Sequence, residues 1–383
     1  MRRTDLAAGT APPAAKPRRA WMDNLRIVLI SGVIVAHAAT AYVVDVGWYY
    51  EERTTSEVSE TLFSFPVFLG GIFGLSPLLV MAGWLSVSSL RRRGASRFVR
   101  ARLVRLGIPL VLFAVLVDPL ADWLGGTAAG ETRSLVSYLT DVGGDRDVGP
   151  MWFVAAILVF SVGYAVLRAR RPAPDPAAEL RVRHLAVIAA TIAVLDVLTW
   201  LRWGYLSDTW WDLNWQHWPQ AAGLFALGVL AGERGWLRAL PAHVERRAAW
   251  VSVAGLAALC ALAAYSLSQA LEQPDFTEAG ASWGTAVFAV IDGAVAVALS
   301  IWVMAWFERR WNGPPGRVTA AAARGSYATY VLHPVPMVLL SWLLAPVALA
   351  PELKFAVVAA LAVPLCFVVG YAVTRIPGVG RVL

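Results

Sequence analysis

Polar and charged residues in this chain are separated by long apolar runs. Most runs last about 17 to 25 residues, the length a helix needs to cross roughly 30 Å of hydrocarbon at 1.5 Å per residue. Ten such runs can be drawn: Leu25–Val44, Val67–Val87, Leu103–Trp123, Val148–Leu167, Leu185–Trp203, Ala221–Trp236, Ala249–Leu271, Ala286–Phe307, Tyr327–Pro346 and Leu353–Thr374. Within each run the apolar residues are continuous rather than alternating, so the pattern predicts helices and not the strands of a barrel. The expected fold is an all-α integral membrane protein of about ten transmembrane helices, with both termini cytoplasmic.

Composition supports this reading. With 58% of residues hydrophobic and 15% charged, the chain lacks the charged groups that a water-facing surface normally carries. An even number of spans puts both termini on one side, and basic residues near span ends tend to stay in the cytoplasm. With the termini inside, all but five of the 33 Lys and Arg fall on inner segments, the five being Arg53, Arg133, Arg146, Arg202 and Lys354. Expected outer segments collect acids instead, among them Glu51, Glu52, Glu57, Glu60, Asp141, Asp145 and Asp147. The net charge of +7 therefore reads as a topology signal, and no nucleic-acid module is recognisable. Residues 1–20 read as a disordered basic cytoplasmic tail, 21–376 as one transmembrane domain and 377–383 as a short cytoplasmic tail. Ala36-His37-Ala38 mimics a signal-peptidase site, but apolar character continues to Val44, so the first span is expected to be retained. Cys260 and Cys366 lie inside spans and are expected to pack. No zinc, phosphate-loop or dinucleotide motif is present, so neither a metal nor a permanently bound cofactor is expected.

Ionisable groups inside apolar spans cost several kcal/mol unless paired or hydrated, which makes each a functional candidate. They are His37, Asp118, Asp196, Asp292 and His333, with Arg202 near a span end. For the carboxylates, a satisfied interhelical hydrogen bond competes with a chemical role. Arg26 and His37 are eleven residues apart. On a helix that separation returns to within about 20° of the same face, roughly 16 Å along the axis. Arg102 and Arg105, at i and i+3, are expected to share a face at the start of the third span. Tyr327, Tyr330 and His333 recur every third residue, with Ser326 placed to cap the helix; lining a site and packing are equal readings of that stripe. Between Trp200 and Trp218 lie Trp203, Trp210, Trp211 and Trp215, with Asp208, Asp212, Asn214 and His217. An interfacial aromatic belt and a sugar-stacking floor that includes Trp211 both fit this segment.

Several of these residues stand in recognisable motifs. Trp21-Met22-Asp23-Asn24-Leu25-Arg26 followed by His37 resembles the first helix of the membrane-bound acyltransferase 3 family, in which an Arg and a His at this spacing are the signature. Met81-Ala82-Gly83-Trp84-Leu85, the basic run Arg91-Arg92-Arg93-Gly94, and Arg102 to Pro109 with its RxxR segment match later landmarks. Gly149-Pro150-Met151-Trp152-Phe153 and Ser326-Tyr327-Ala328-Thr329-Tyr330-Val331-Leu332-His333-Pro334 match others. The resemblance runs from Arg19 to Thr374, and within the family Asp118-Pro119-Leu120 is similar to the glucan-biosynthesis C type.

The resemblance implies transfer of an acyl group from cytoplasmic acyl-CoA, a co-substrate rather than a bound cofactor, to a hydroxyl of a carbohydrate or related acceptor. A thioester is already activated, so the protein has mainly to position it, deprotonate the alcohol and stabilise the oxyanion. His37 is the candidate base and Arg26, on the same helix, the second candidate catalytic residue, while Arg102 and Arg105 are candidates for the coenzyme phosphates. Tyr330, His333, Asp292 and Trp211 are candidates for substrate contact. Asp23 is placed to hold Arg26. The alternative is a transporter or exporter of an acylated or acidic solute, with His37, Asp196 and Asp292 as a proton relay.

Overall fold

A computed structural model describes residues 20–141, 148–172, 179–205, 210–238, 240–269 and 283–383. Among them every regular element is helical. Helix α1 spans Ala20–Tyr42, and α2 (Glu57–Phe73) and α3 (Ser76–Arg93) follow one another across a break at Gly74 and Leu75. Helices α4 (Ala95–Arg102), α5 (Ile108–Leu112) and α6 (Asp118–Ala128) run on through two π-helical turns, Leu103–Gly107 and Phe113–Val117. A short α7 (Leu135–Thr140) precedes α8 (Trp152–Arg170), α9 (Val182–Trp203), α10 (Trp218–Arg234) and α11 (Ala242–Gln269). The chain ends with α12 (Trp283–Arg310), α13 (Arg317–Leu332), α14 (Pro334–Leu344) and α15 (Pro351–Thr374).

Among the described residues seven helical runs are long and apolar enough to cross a membrane, and α13 with α14, bent by 71°, makes an eighth if taken as one span. The described parts of all ten expected runs are mainly helical, but α10, at 17 residues, and α11 are not among the seven. Large apolar side chains stand outward, as with Val111, Leu112, Val115 and Leu116 beside α5, Val187, Val194 and Leu198 on α9, and Leu361 and Val368 on α15. Such a surface suits hydrocarbon and would be a liability in water. Of the cysteines, Cys366 is buried and Cys260 is exposed. Residues 1–19 of the expected tail, and Asp145, Arg146, Asp147 and Asp208, lie outside the described residues.

Two expectations about the ninth span are corrected. Ser326 does not cap a helix: α13 begins nine residues earlier, at Arg317, and the Ser326 hydroxyl donates to the Ala323 carbonyl at 3.1 Å. Nor is Tyr327–Pro346 one straight span. Pro334 has no N–H and cannot continue the α13 ladder, so the chain bends at His333 and restarts with Pro334 in the first turn of α14. Helix α13 lies close against α15: a Cβ on Gly325 would meet the Tyr371 backbone, and one on Gly370 would meet Thr329. Small residues permit this approach, and van der Waals packing then holds the pair in lipid. Helix α1 packs against α12, α13 and α15, which brings its C-terminal half to the bend at His333.

Candidate active site

His37 stands in the last two turns of α1, half-buried, with its carbonyl accepting a hydrogen bond from the Thr40 hydroxyl at 2.8 Å. His333, 296 residues away in the chain, is fully buried at the bend. Their hydrogen bonds fix which nitrogens carry protons. His333 Nδ1 lies 2.8 Å from the Tyr330 carbonyl oxygen, which only accepts, so Nδ1 is the donor. A neutral His333 then has its lone pair on Nε2, and His37 Nδ1, 2.9 Å away, donates to it. The lone pair of a neutral His37 is left on Nε2, so the chain of two rings and a carbonyl presents one imidazole base in one tautomer.

Neighbouring groups hold this chain still. The two imidazoles are within 6° of parallel with centroids 5.0 Å apart, and the Trp48 indole lies face-on over His37 at 4.2 Å and 18°. The Tyr330 hydroxyl donates to the Pro150 carbonyl, and Phe153 meets the Tyr330 ring at 6.2 Å, so the Gly149-to-Phe153 motif buttresses the histidine pair from α8. Tyr327 remains on α13, half-buried.

The arginines lie apart from the histidines. Arg26 is a third exposed and pairs with Asp23 at 3.5 Å. Arg102 donates to the Ser86 hydroxyl at 2.8 Å, which donates in turn to the Ala82 carbonyl at 2.7 Å, and its guanidinium sits 5.1 Å from the Phe98 ring centre. Arg105 is exposed. The shared face expected of these two residues is thus not a plain α-helical one: the π-helical turn beginning at Leu103 resets the register, leaving Arg102 folded against α3 and Arg105 turned outward. Single π-turns are frequent at functional sites.

The remaining ionisable groups form separate arrangements. Asp118 accepts from the Tyr49 hydroxyl at 2.7 Å. Asp292 accepts from the Gln220 side chain at 2.7 Å and lies close enough to Asp196 for their charges to interact. Among the described residues, no hydrogen bond or ring contact joins those two carboxylates to His37. Arg202 sits over the Trp203 ring at 5.5 Å. Trp211 is exposed with φ of 57°, and its carbonyl accepts from Val148 N–H at 3.1 Å. Trp203, Trp215 and Trp218 line an apolar groove of about 570 Å³ that contains none of the ionisable groups above.

The model of the acyltransferase 3 family, described as an acyltransferase domain, matches residues 19–375. The chain belongs to that family. No curated protein matches it. Family membership makes this a multi-pass membrane acyltransferase, and its domain takes in Arg26, His37, Arg102, Arg105 and His333 alike.

Sequence reading missed two features of the candidate site. Trp48 lies between spans, where a single tryptophan reads as interfacial, and only the return of the chain toward α1 lays it on His37. The contact between His37 and His333 joins helices at opposite ends of the chain. A signal for it was present, since a His-Pro step inside an apolar run marks a bend at His333.

Proposed function

We propose that this acyltransferase moves an acyl group, acetyl or succinyl-like, from cytoplasmic acyl-CoA to a hydroxyl of a carbohydrate or related envelope acceptor, with His37 as general base. The observation that carries the reading is the hydrogen-bonded chain from Tyr330 through His333 to His37, which leaves Nε2 of a half-buried imidazole as the acceptor of a proton. His37 Nε2 takes the hydroxyl proton while the hydroxyl oxygen attacks the thioester carbonyl. The tetrahedral oxyanion then collapses, the C–S bond breaks, and the proton passes to the coenzyme sulfur, giving an ester and free CoA. His333 accepts from His37 Nδ1 throughout and holds the imidazole in its working tautomer.

Arg26, Arg102 and Arg105 take the coenzyme phosphates, for which a guanidinium offers a planar fork of donors. Arg26 lies some 16 Å along α1 from His37, a span suited to a long donor molecule entering at one face and reacting deeper in. The chain crosses the inner membrane ten times with both termini in the cytoplasm, α10 and α11 included. The basic ends of α3, α4 and α12 then lie inside, and the acidic segment after α1 lies outside. Asp118-Pro119-Leu120 supports placement in the glucan-biosynthesis C type.

The test is His37→Gln in purified, correctly inserted protein, with acyl-CoA consumption and acyl-CoA binding measured side by side. Glutamine keeps hydrogen bonding and approximate size but takes no proton near neutral pH. Binding should persist while transfer falls by roughly 10² to 10⁴. Transfer near the wild-type rate would make His37 structural.

A further inference from the structure

We propose that Trp48 is a positioning residue of this site, its indole face stabilising His37 as the imidazole becomes charged during proton transfer. This inference rests on the reading of His37 as the base. The rings are stacked nearly parallel, 4.2 Å apart at their centroids. An aromatic face carries negative quadrupole density, so it attracts a cation over it and does little for a neutral ring. His37 is neutral before the hydroxyl proton moves and cationic once Nε2 has accepted it. The indole therefore favours the later state over the earlier one, and an interaction stronger in the transition state than in the ground state accelerates the chemical step.

The loop around Trp48 is built to hold that ring in place. After α1 the chain turns back on itself, with Glu52 N–H donating to the Ala41 carbonyl at 2.9 Å and Thr54 N–H to the Tyr42 carbonyl at 2.8 Å. Tyr49, next to Trp48, is tied to Asp118 on α6, and its carbonyl lies so close to Gly125 that a Cβ there would collide with it. On the other side Lys354, only 2% exposed, donates to both carboxylate oxygens of Glu52 at 2.7 and 2.8 Å. A buried ammonium is expensive to leave unpaired, so this pair resists any shift of the loop relative to α15. Asp118 and Lys354, two ionisable groups that the reaction itself does not use, thereby acquire a role: both hold the segment that carries Trp48. The face of the indole that His37 covers is the one that acts on the base.

Site-specific replacement of Trp48 by mono-, di- and trifluorotryptophan tests this, because fluorine drains the ring face of negative density while scarcely changing its size. The readouts are the single-turnover rate of acyl transfer and the KM values for acyl-CoA and acceptor, on protein shown to be monodisperse. The logarithm of the single-turnover rate should fall in step with the number of fluorines while both KM values hold steady. Trp48→Leu, which keeps bulk without a π-face, should lose on the order of 2- to 30-fold in that rate. A flat fluorine series would reduce Trp48 to packing and overturn the proposal. A series that moved the acceptor KM and not the rate would overturn it too, making the ring an acceptor contact. His37→Gln separates this failure from a deeper one: a flat series alongside an inactive His37→Gln sinks the role of Trp48 alone, and an active His37→Gln sinks the base itself.

Discussion

Among the pairs of ionisable side chains that meet inside this helical bundle, two are built in opposite ways. His37 and His333 are joined nitrogen to nitrogen, braced by the Tyr330 carbonyl and covered by Trp48, while His37 keeps one side open. Asp196 and Asp292 are fully buried. The Gln220 side chain holds one oxygen of Asp292 and its backbone amide approaches Asp196. Even so, no hydrogen bond of normal geometry reaches either oxygen of Asp196, or Oδ1 of Asp292, among the described residues. A group that handles a substrate proton needs partners that fix its orientation and a face that the substrate reaches. The histidine pair is held by partners at both rings and His37 is only partly buried, whereas the carboxylate pair is sealed and holds one side-chain hydrogen bond, from Gln220, which argues for a part in structure and against one in the reaction.

Substitutions at the two pairs should therefore diverge. Loss of His37 has the largest expected effect, the 10²- to 10⁴-fold fall in transfer given above for His37→Gln. His333→Leu should follow, lowering the rate roughly 10- to 100-fold, as removal of a residue that orients an imidazole commonly does. His333→Gln should recover part of that loss, because its carbonyl accepts from His37 Nδ1; equal rates for Leu and Gln would mean that His333 does not orient the base. Arg105→Ala should raise the KM for acyl-CoA by about tenfold, the worth of one charged hydrogen bond, and leave the single-turnover rate at saturation alone. Asp292→Asn should do least, since the amide remains hydrogen-bonded to Gln220 and the reaction does not pass through it. A transfer rate that collapsed in Asp292→Asn, with the protein still folded, would break the contrast and bring the carboxylates into the mechanism.

The extent to which this arrangement was legible in the sequence follows from range. Apolar runs mark helices because a span must satisfy its own backbone locally, and the spacing of Arg26 and His37 survives because both lie on α1. The offset between Arg102 and Arg105 depended on an ideal helix, and the π-turn after Arg102 broke that assumption. What joins His37 to His333 depends on the packing of α1, α13 and α15 and on a bend at Pro334, none of which a spacing along one helix encodes. Asp118 looked like a lone intramembrane charge because its partner, Tyr49, belongs to the segment before α2. Ser326 was placed at a helix start only because the less apolar first turns of α13 fell outside the apolar run.

The central claim is that His37 waits as a neutral imidazole with its lone pair on Nε2, and ¹⁵N spectra of histidine-labelled protein, assigned through His37→Gln and His333→Gln, report it directly. Both rings should carry their proton on Nδ1, with a coupling across the hydrogen bond from His37 Nδ1 to His333 Nε2. Addition of acyl-CoA should leave that pattern intact. A His37 protonated at Nε2 with a bare Nδ1 would contradict the account, because the nitrogen assigned to take the hydroxyl proton would already be holding one.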